Sequence, residues 1–111
     1  MDENSQVQPI SLYADTKVDS EEALLAAANG SFHPTILRFA TIFGLSPRPR
    51  LDLVVNVLTA KAMKEKVVTI YNGEQWRPFL HVADAAAAIV RALEAPVALV
   101  GGQIYNVATA G

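Results

Sequence analysis

Helix-patterned stretches alternate with short β-branched and aromatic runs along this chain, and that alternation restricts it to an α/β fold with a mainly parallel sheet. Residues 1–9 read as an extended lead-in ending at Pro9. From about Ser11 to Ala28 the pattern is helical, with Leu12, Val18, Leu24, Leu25 and Ala28 supplying apolar positions and Asn29-Gly30 supplying a stop. Thr35 to Phe43 is rich in β-branched and aromatic residues and reads as one buried strand. Gly44 and Ser46-Pro47-Arg48-Pro49-Arg50 then force a loop. Leu51 to Lys66 returns to helical spacing, with Leu53, Val54, Val57, Leu58 and Ala62 facing inward. Val67 to Tyr71 reads as a short strand ended by the Asn72-Gly73 turn. Pro78 to Val82 is a brief extended piece, and Asp84 caps or opens an alanine-rich helix that reaches Glu94 and stops at Pro96. Gln103 to Ala108 is a last strand. A doubly wound sheet usually has about five or six strands, more than these runs supply. The chain therefore reads as a single partial domain over residues 1–111.

Composition narrows the function classes. The chain has 9 basic and 11 acidic residues and a net charge of −2, so it offers no electrostatic footprint for nucleic acid or an anionic membrane. It has no cysteine, which excludes a disulfide framework, a thiolate zinc site and a cysteine nucleophile. His33 and His81 lack a second ligand at metal spacing, so no metal site is expected. The densest apolar stretch, Ala83 to Val90, is interrupted by Asp84 and falls short of a membrane span. The polar, acidic start of the chain is the reverse of a signal peptide. A cytoplasmic location is the expectation.

The chemistry-bearing pattern is Tyr13-Ala14-Asp15-Thr16-Lys17. Spacing i, i+4 on a helix puts the phenol and the ammonium on one face. A phenol releases its proton near neutral pH only with help, and a neighbouring cation favours the phenolate. An oxidoreductase needs such a group to take a proton from a hydroxyl as hydride leaves the carbon. On a buried strand, Arg38 is expected to be satisfied by backbone or a carboxylate. Trp76, beside Arg77, suits half-buried packing or stacking on a base.

The surroundings of the pair are specific. Pro9-Ile10-Ser11-Leu12-Tyr13-x-x-Thr16-Lys17 is followed by Ile36-Leu37-Arg38-Phe39-x-x-Ile42-Phe43-Gly44. Further on come Tyr71-Asn72-Gly73-Glu74-Gln75-Trp76-Arg77-Pro78-Phe79-Leu80-His81-Val82-Ala83-Asp84-Ala85-Ala86 and Ile104-Tyr105-Asn106-Val107. This order resembles the extended short-chain dehydrogenases/reductases, in the branch of NAD-dependent nucleotide-sugar epimerases and dehydratases, from about Pro9 to Ala108. The resemblance implies the C-terminal part of a Rossmann-like doubly wound parallel sheet with the small substrate-binding subdomain. It implies Tyr13 as catalytic acid/base and Lys17 as the residue that holds the nicotinamide ribose and favours the phenolate. Ala40 would approach the coenzyme, NAD or NADP. Thr41, Leu53, Asn56, Tyr71 and Arg77 would bind the nucleotide sugar, with Tyr71 against the base and Arg77 on the diphosphate. Asp84 falls at an acidic helix-start position and reads as structural. A homodimer through the Tyr/Lys helix is the assembly the resemblance allows.

Two departures qualify those expectations. The six glycines, Gly30, Gly44, Gly73, Gly101, Gly102 and Gly111, form no glycine-rich turn of the kind that receives a coenzyme pyrophosphate. Thr41 stands where many members of the resembled family have asparagine, which opens the choice of sugar nucleotide. The expectation is a C-terminal portion whose coenzyme-binding N-terminal half is absent and which is inactive in isolation. A non-catalytic binding or assembly fragment, or an inactive truncated reading frame, is the alternative.

Overall fold

Ser11 sets where the first helix begins. Its backbone is extended and its Oγ accepts from the Ala14 N–H at 3.2 Å, satisfying one of the donors a helix start leaves open. In the computed structural model, which describes residues 2–71, 73–75 and 77–109, the helix α1 spans Leu12–Ala26. Asn29 shapes the turn that follows, its side-chain oxygen accepting from the Ser31 and Phe32 N–H groups. The remaining elements are β1 (Ile36–Phe39), β2 (Thr41–Phe43), α2 (Val54–Glu65), β3 (Phe79–His81), α3 (Val82–Glu94), α4 (Val97–Val100) and β4 (Ile104–Val107). No helix among the described residues is long and apolar enough to cross a membrane.

The strands form two pairs, β1 with β4 and β2 with β3. In the first pair the Ile36 N–H donates to Gln103 O and the Ala40 N–H to Val107 O, each at 2.9 Å, so both strands advance in the same direction. The second pair is parallel, with Thr41 opposite Phe79, Ile42 opposite Leu80 and Phe43 opposite His81. The run Thr35 to Phe43 is thus two strands and not one. Ala40 is the junction at which the chain leaves one partner and takes another, a tertiary choice that local composition does not encode. The described residues therefore carry short parallel pairs in place of one continuous doubly wound sheet.

Two further expectations are corrected. Val67 to Ile70 is irregular, because its β-branched residues find no strand to pair with, and Val67 and Ile70 are exposed. Asp84 does not cap α3. The helix begins at Val82, the His81 Nδ1 accepts from the Ala83 N–H at 3.2 Å, and Asp84 lies in the first turn, where a carboxylate suits the helix dipole. The Asn72 half of the Asn72-Gly73 turn and the packing of Trp76 lie outside the described residues. The short helix α4 has no counterpart in the pattern reading.

By its contacts the chain divides into two units, Met1–Arg38 with Ile89–Asn106, and Phe39–Ala88 with Val107–Gly111. In the first, α1 turns a half-buried stripe of Ala14, Val18, Glu21 and Leu25 inward at helical spacing, while Leu12 and Leu24 are exposed. Glu21 in that stripe meets Arg38 of β1, with Nε at 3.0 Å and Nη2 at 2.6 Å from Oε2. Arg38 is thereby satisfied by a carboxylate, as expected, and this bond holds its guanidinium's proton more firmly than usual. Glu3 adds a tie of its own, its Oε1 accepting from the Asn106 N–H at 2.8 Å. Thr35 Oγ1 donates to Val100 O at 2.9 Å and Tyr105 Oη to Leu99 O at 2.9 Å, fastening α4 to its neighbours.

In the second unit Leu80 is buried, at 2% exposure, in the centre of β3. Along α2, Val54, Val57, Leu58 and Ala62 are half-buried, as the helical spacing predicts, and so is Leu53 just before it. Lys66 closes α2 in the left-handed conformation (φ 59°), its N–H donating to Ala62 O. Phe43 meets Phe79 and His81 edge to face, with ring centroids 6.3 and 5.3 Å apart. Gly44 leaves β2 with φ 132°, and a Cβ there would stand 2.8 Å from Val82 Cγ1 and 2.9 Å from His81 Nε2. Only glycine fits.

Two measurements follow from the ties of the first unit. Arg38→Ala leaves the Glu21 carboxylate half-buried without its fork of donors and should lower stability by about 1–3 kcal/mol in urea unfolding; an unchanged midpoint would show that the pair is ornamental. Donation from the Asn106 backbone lowers the Glu3 pKa below the usual glutamate value of 4.5. The tie's stabilisation is thus complete above that value and lost as pH falls through the lowered one. The Asn106 amide resonance should titrate with that low midpoint and stop doing so in Glu3→Gln.

Candidate functional site

The first unit contributes the Tyr/Lys pair. One helical turn separates Tyr13 from Lys17 on α1, and the Lys17 Nζ lies 5.3 Å from the Tyr13 ring centroid. The local backbone is held by side chains of the same helix: Thr16 Oγ1 donates to Tyr13 O at 2.8 Å, and Ser20 Oγ to Thr16 O at 2.6 Å. The half-buried stripe at Ala14, Val18, Glu21 and Leu25 turns the neighbouring positions outward. Tyr13 is accordingly 73% exposed, with its phenol and the ammonium on one open helix face. The two groups are where their spacing puts them.

The second unit contributes the other candidate residues. Ala40 and Thr41 stand where the chain passes from β1 to β2, with the Thr41 N–H donating to Pro78 O at 3.3 Å. A cavity of about 590 Å³ is lined by Val54 and Leu58 of α2, by Ile70, Tyr71, Gly73, Gln75 and Arg77, and by Phe79 of β3. Tyr71 and Arg77 are thus brought together. Leu53 directly precedes the helix that forms one wall. Asn56 lies elsewhere: it lines a second cavity of about 490 Å³ with Phe43, Leu51, Val55, Met63 and His81. Its Nδ2 donates to Arg50 O at 3.0 Å, so it pins the loop before α2. Arg50 itself forks onto Asp52, and that bond lowers the Asp52 carboxyl to about 2.

Gln75 escaped the sequence reading. Its Oε1 accepts from Arg77 Nε at 3.0 Å and from Nη2 at 2.7 Å. Nothing in a lone glutamine marks such a role; the i, i+2 placement beside an arginine in a turn was the one available signal. Among the described residues no group of three or more His, Cys, Asp or Glu could hold a metal.

Helices joined to short parallel strands make this an α/β architecture, in keeping with a Rossmann-like fragment. The sequence matches the NAD dependent epimerase/dehydratase family over residues 1–108, and the chain belongs to that family. Such enzymes use NAD(P) as coenzyme and act by oxidoreduction on sugars. Tyr13 and Lys17 present a hydroxyl and an ammonium on one exposed face of α1. No described glycine forms a strand–turn–helix cradle for pyrophosphate: Gly44 is walled in by His81 and Val82, and Gly101 by Val97 and His33.

Proposed function

We propose that this chain supplies the acid/base pair and the sugar-nucleotide pocket of an NAD(P)-dependent epimerase or dehydratase acting on a nucleotide sugar. The observation that supports the reading is the cavity that gathers Tyr71 and Arg77. A nucleoside diphosphate is a flat, largely apolar base joined to a compact anion. Tyr71, Ile70, Val54 and Leu58 suit the first part, and the guanidinium fork of Arg77 suits the second.

Tyr13 is then the group that takes the proton of a sugar hydroxyl, with the Lys17 ammonium 5.3 Å from its ring centroid on the same helix face. NAD(P), when bound, supplies the hydride acceptor. Lys17 and Tyr13 would hold its ribose through their ammonium and hydroxyl. Thr41 offers one hydroxyl to the sugar nucleotide, and Leu53 and Asn56 set the course of the loop that wraps it.

Isothermal titration tests the pocket. UDP should bind more tightly than uridine, and Arg77→Ala should cut UDP affinity about tenfold or more while leaving uridine unchanged. Equal affinities for UDP and uridine would refute the diphosphate role. NAD should bind weakly, in keeping with the missing pyrophosphate turn. In a catalytically competent enzyme that contains this segment, Tyr13→Phe should lower turnover about 100-fold or more at unchanged UDP affinity.

A second reading, assembly through α1, is favoured by exposed apolar residues at its start: Ile10 is 97% and Leu12 80% exposed. Light scattering should then find a dimer that Leu12→Glu dissociates, and a wild-type monomer at high concentration would exclude it.

A further inference from the structure

Three arginines of this chain have side-chain acceptors among the described residues, and the acceptors differ in charge. Arg38 is paired with the Glu21 carboxylate and Arg50 with the Asp52 carboxylate. Each pair is neutral, so neither arginine has net charge to offer a ligand. Arg77 instead gives its Nε–H and one Nη2–H to a single neutral oxygen, the Gln75 amide. Glu74 is the immediate neighbour of Gln75, yet among the described residues its carboxylate forms no ion pair with Arg77.

A guanidinium has five N–H donors arranged along its edges. Gln75 takes the side edge, Nε with Nη2. The terminal edge, Nη1 with the second Nη2 hydrogen, is the one that can meet two phosphate oxygens together. Both side chains line the cavity that also contains Tyr71. Free arginine side chains rotate about several bonds and lose that freedom on binding, so a fixed fork binds an anion at lower entropic cost. A carboxylate in the place of Gln75 would fix the fork equally well but cancel its charge.

We propose that Gln75 is the positioning residue of the anion subsite: it orients the Arg77 guanidinium through a neutral clamp and keeps its full positive charge for a diphosphate. This deepens the proposed function and rests on the cavity being a nucleotide pocket.

The experiment uses UDP and uridine as probes on the whole chain, with ¹⁵N-detected NMR of the arginine Nε–H groups as a readout that needs no ligand. In the wild type the Arg77 Nε–H should exchange slowly with water. Gln75→Ala should release it to fast exchange and weaken UDP about three- to tenfold with uridine unchanged. Gln75→Glu should keep the Nε–H protected yet weaken UDP about tenfold or more, which separates charge from orientation. In an Arg77→Ala background neither substitution should change UDP affinity further. If UDP is preferred over uridine and Arg77→Ala abolishes that preference, but both Gln75 variants bind as the wild type does, the positioning role is wrong and the pocket stands. If the wild type binds UDP no better than uridine, the pocket reading fails and the positioning role fails with it.

Discussion

The parallel pairing of β2 with β3 is the constraint on which the candidate pocket depends. Antiparallel neighbours can be joined by a two-residue turn, but parallel ones require the chain to travel back along its own length. Between Phe43 and Phe79 the chain makes that return, and α2, Tyr71, Gln75 and Arg77 all lie on it. Leu80, the most deeply buried side chain of the pair, sits opposite Ile42 and fixes the register. The edge-to-face contacts of Phe43 with Phe79 and His81 secure its end. The cavity is thus lined by a connection that the strand pairing makes obligatory.

Charge is distributed over the arginines with a corresponding economy. Where arginine serves the fold, as at Arg38, it reaches across to α1 and is matched by a carboxylate with which it shares a half-buried environment. Where it serves a loop, as at Arg50, the matched pair is exposed, and water screens most of what the pair could contribute. Arg77, which has no carboxylate partner among the described residues, lies on the wall of a cavity, the place where a fixed cation has most use for an anionic guest.

Much of this was legible in the residues, and the rest was hidden for identifiable reasons. The apolar spacing between Ser11 and Ala28 and that of Val54, Leu58 and Ala62 announced two helices, because helical periodicity is a local signal. A partner for Arg38, backbone or carboxylate, was expected from the cost of leaving a charge unpaired, and the structure supplies Glu21. The change of partner at Ala40 was invisible, since both halves of Thr35–Phe43 have strand composition and only long-range pairing divides them. Val67 to Ile70 misled for the same reason: β-branched residues fit a sheet but do not create one. Tyr13 and Lys17 were legible as a pair because one helix sets their spacing. Tyr71 and Arg77 were named through family resemblance, while Gln75 was silent because its role exists only in the geometry of a turn.

Gly44 has a bearing on how variation in this protein must be distributed. It stands where the chain departs β2, hemmed in by His81 and Val82, and the residues that follow, Leu45 to Arg50, are all exposed. The exposed side chains from Leu45 to Arg48 can therefore vary more readily than Gly44, where any side chain would collide with two neighbours. Diversity belongs after this glycine, whose backbone conformation and close neighbours leave it no alternative.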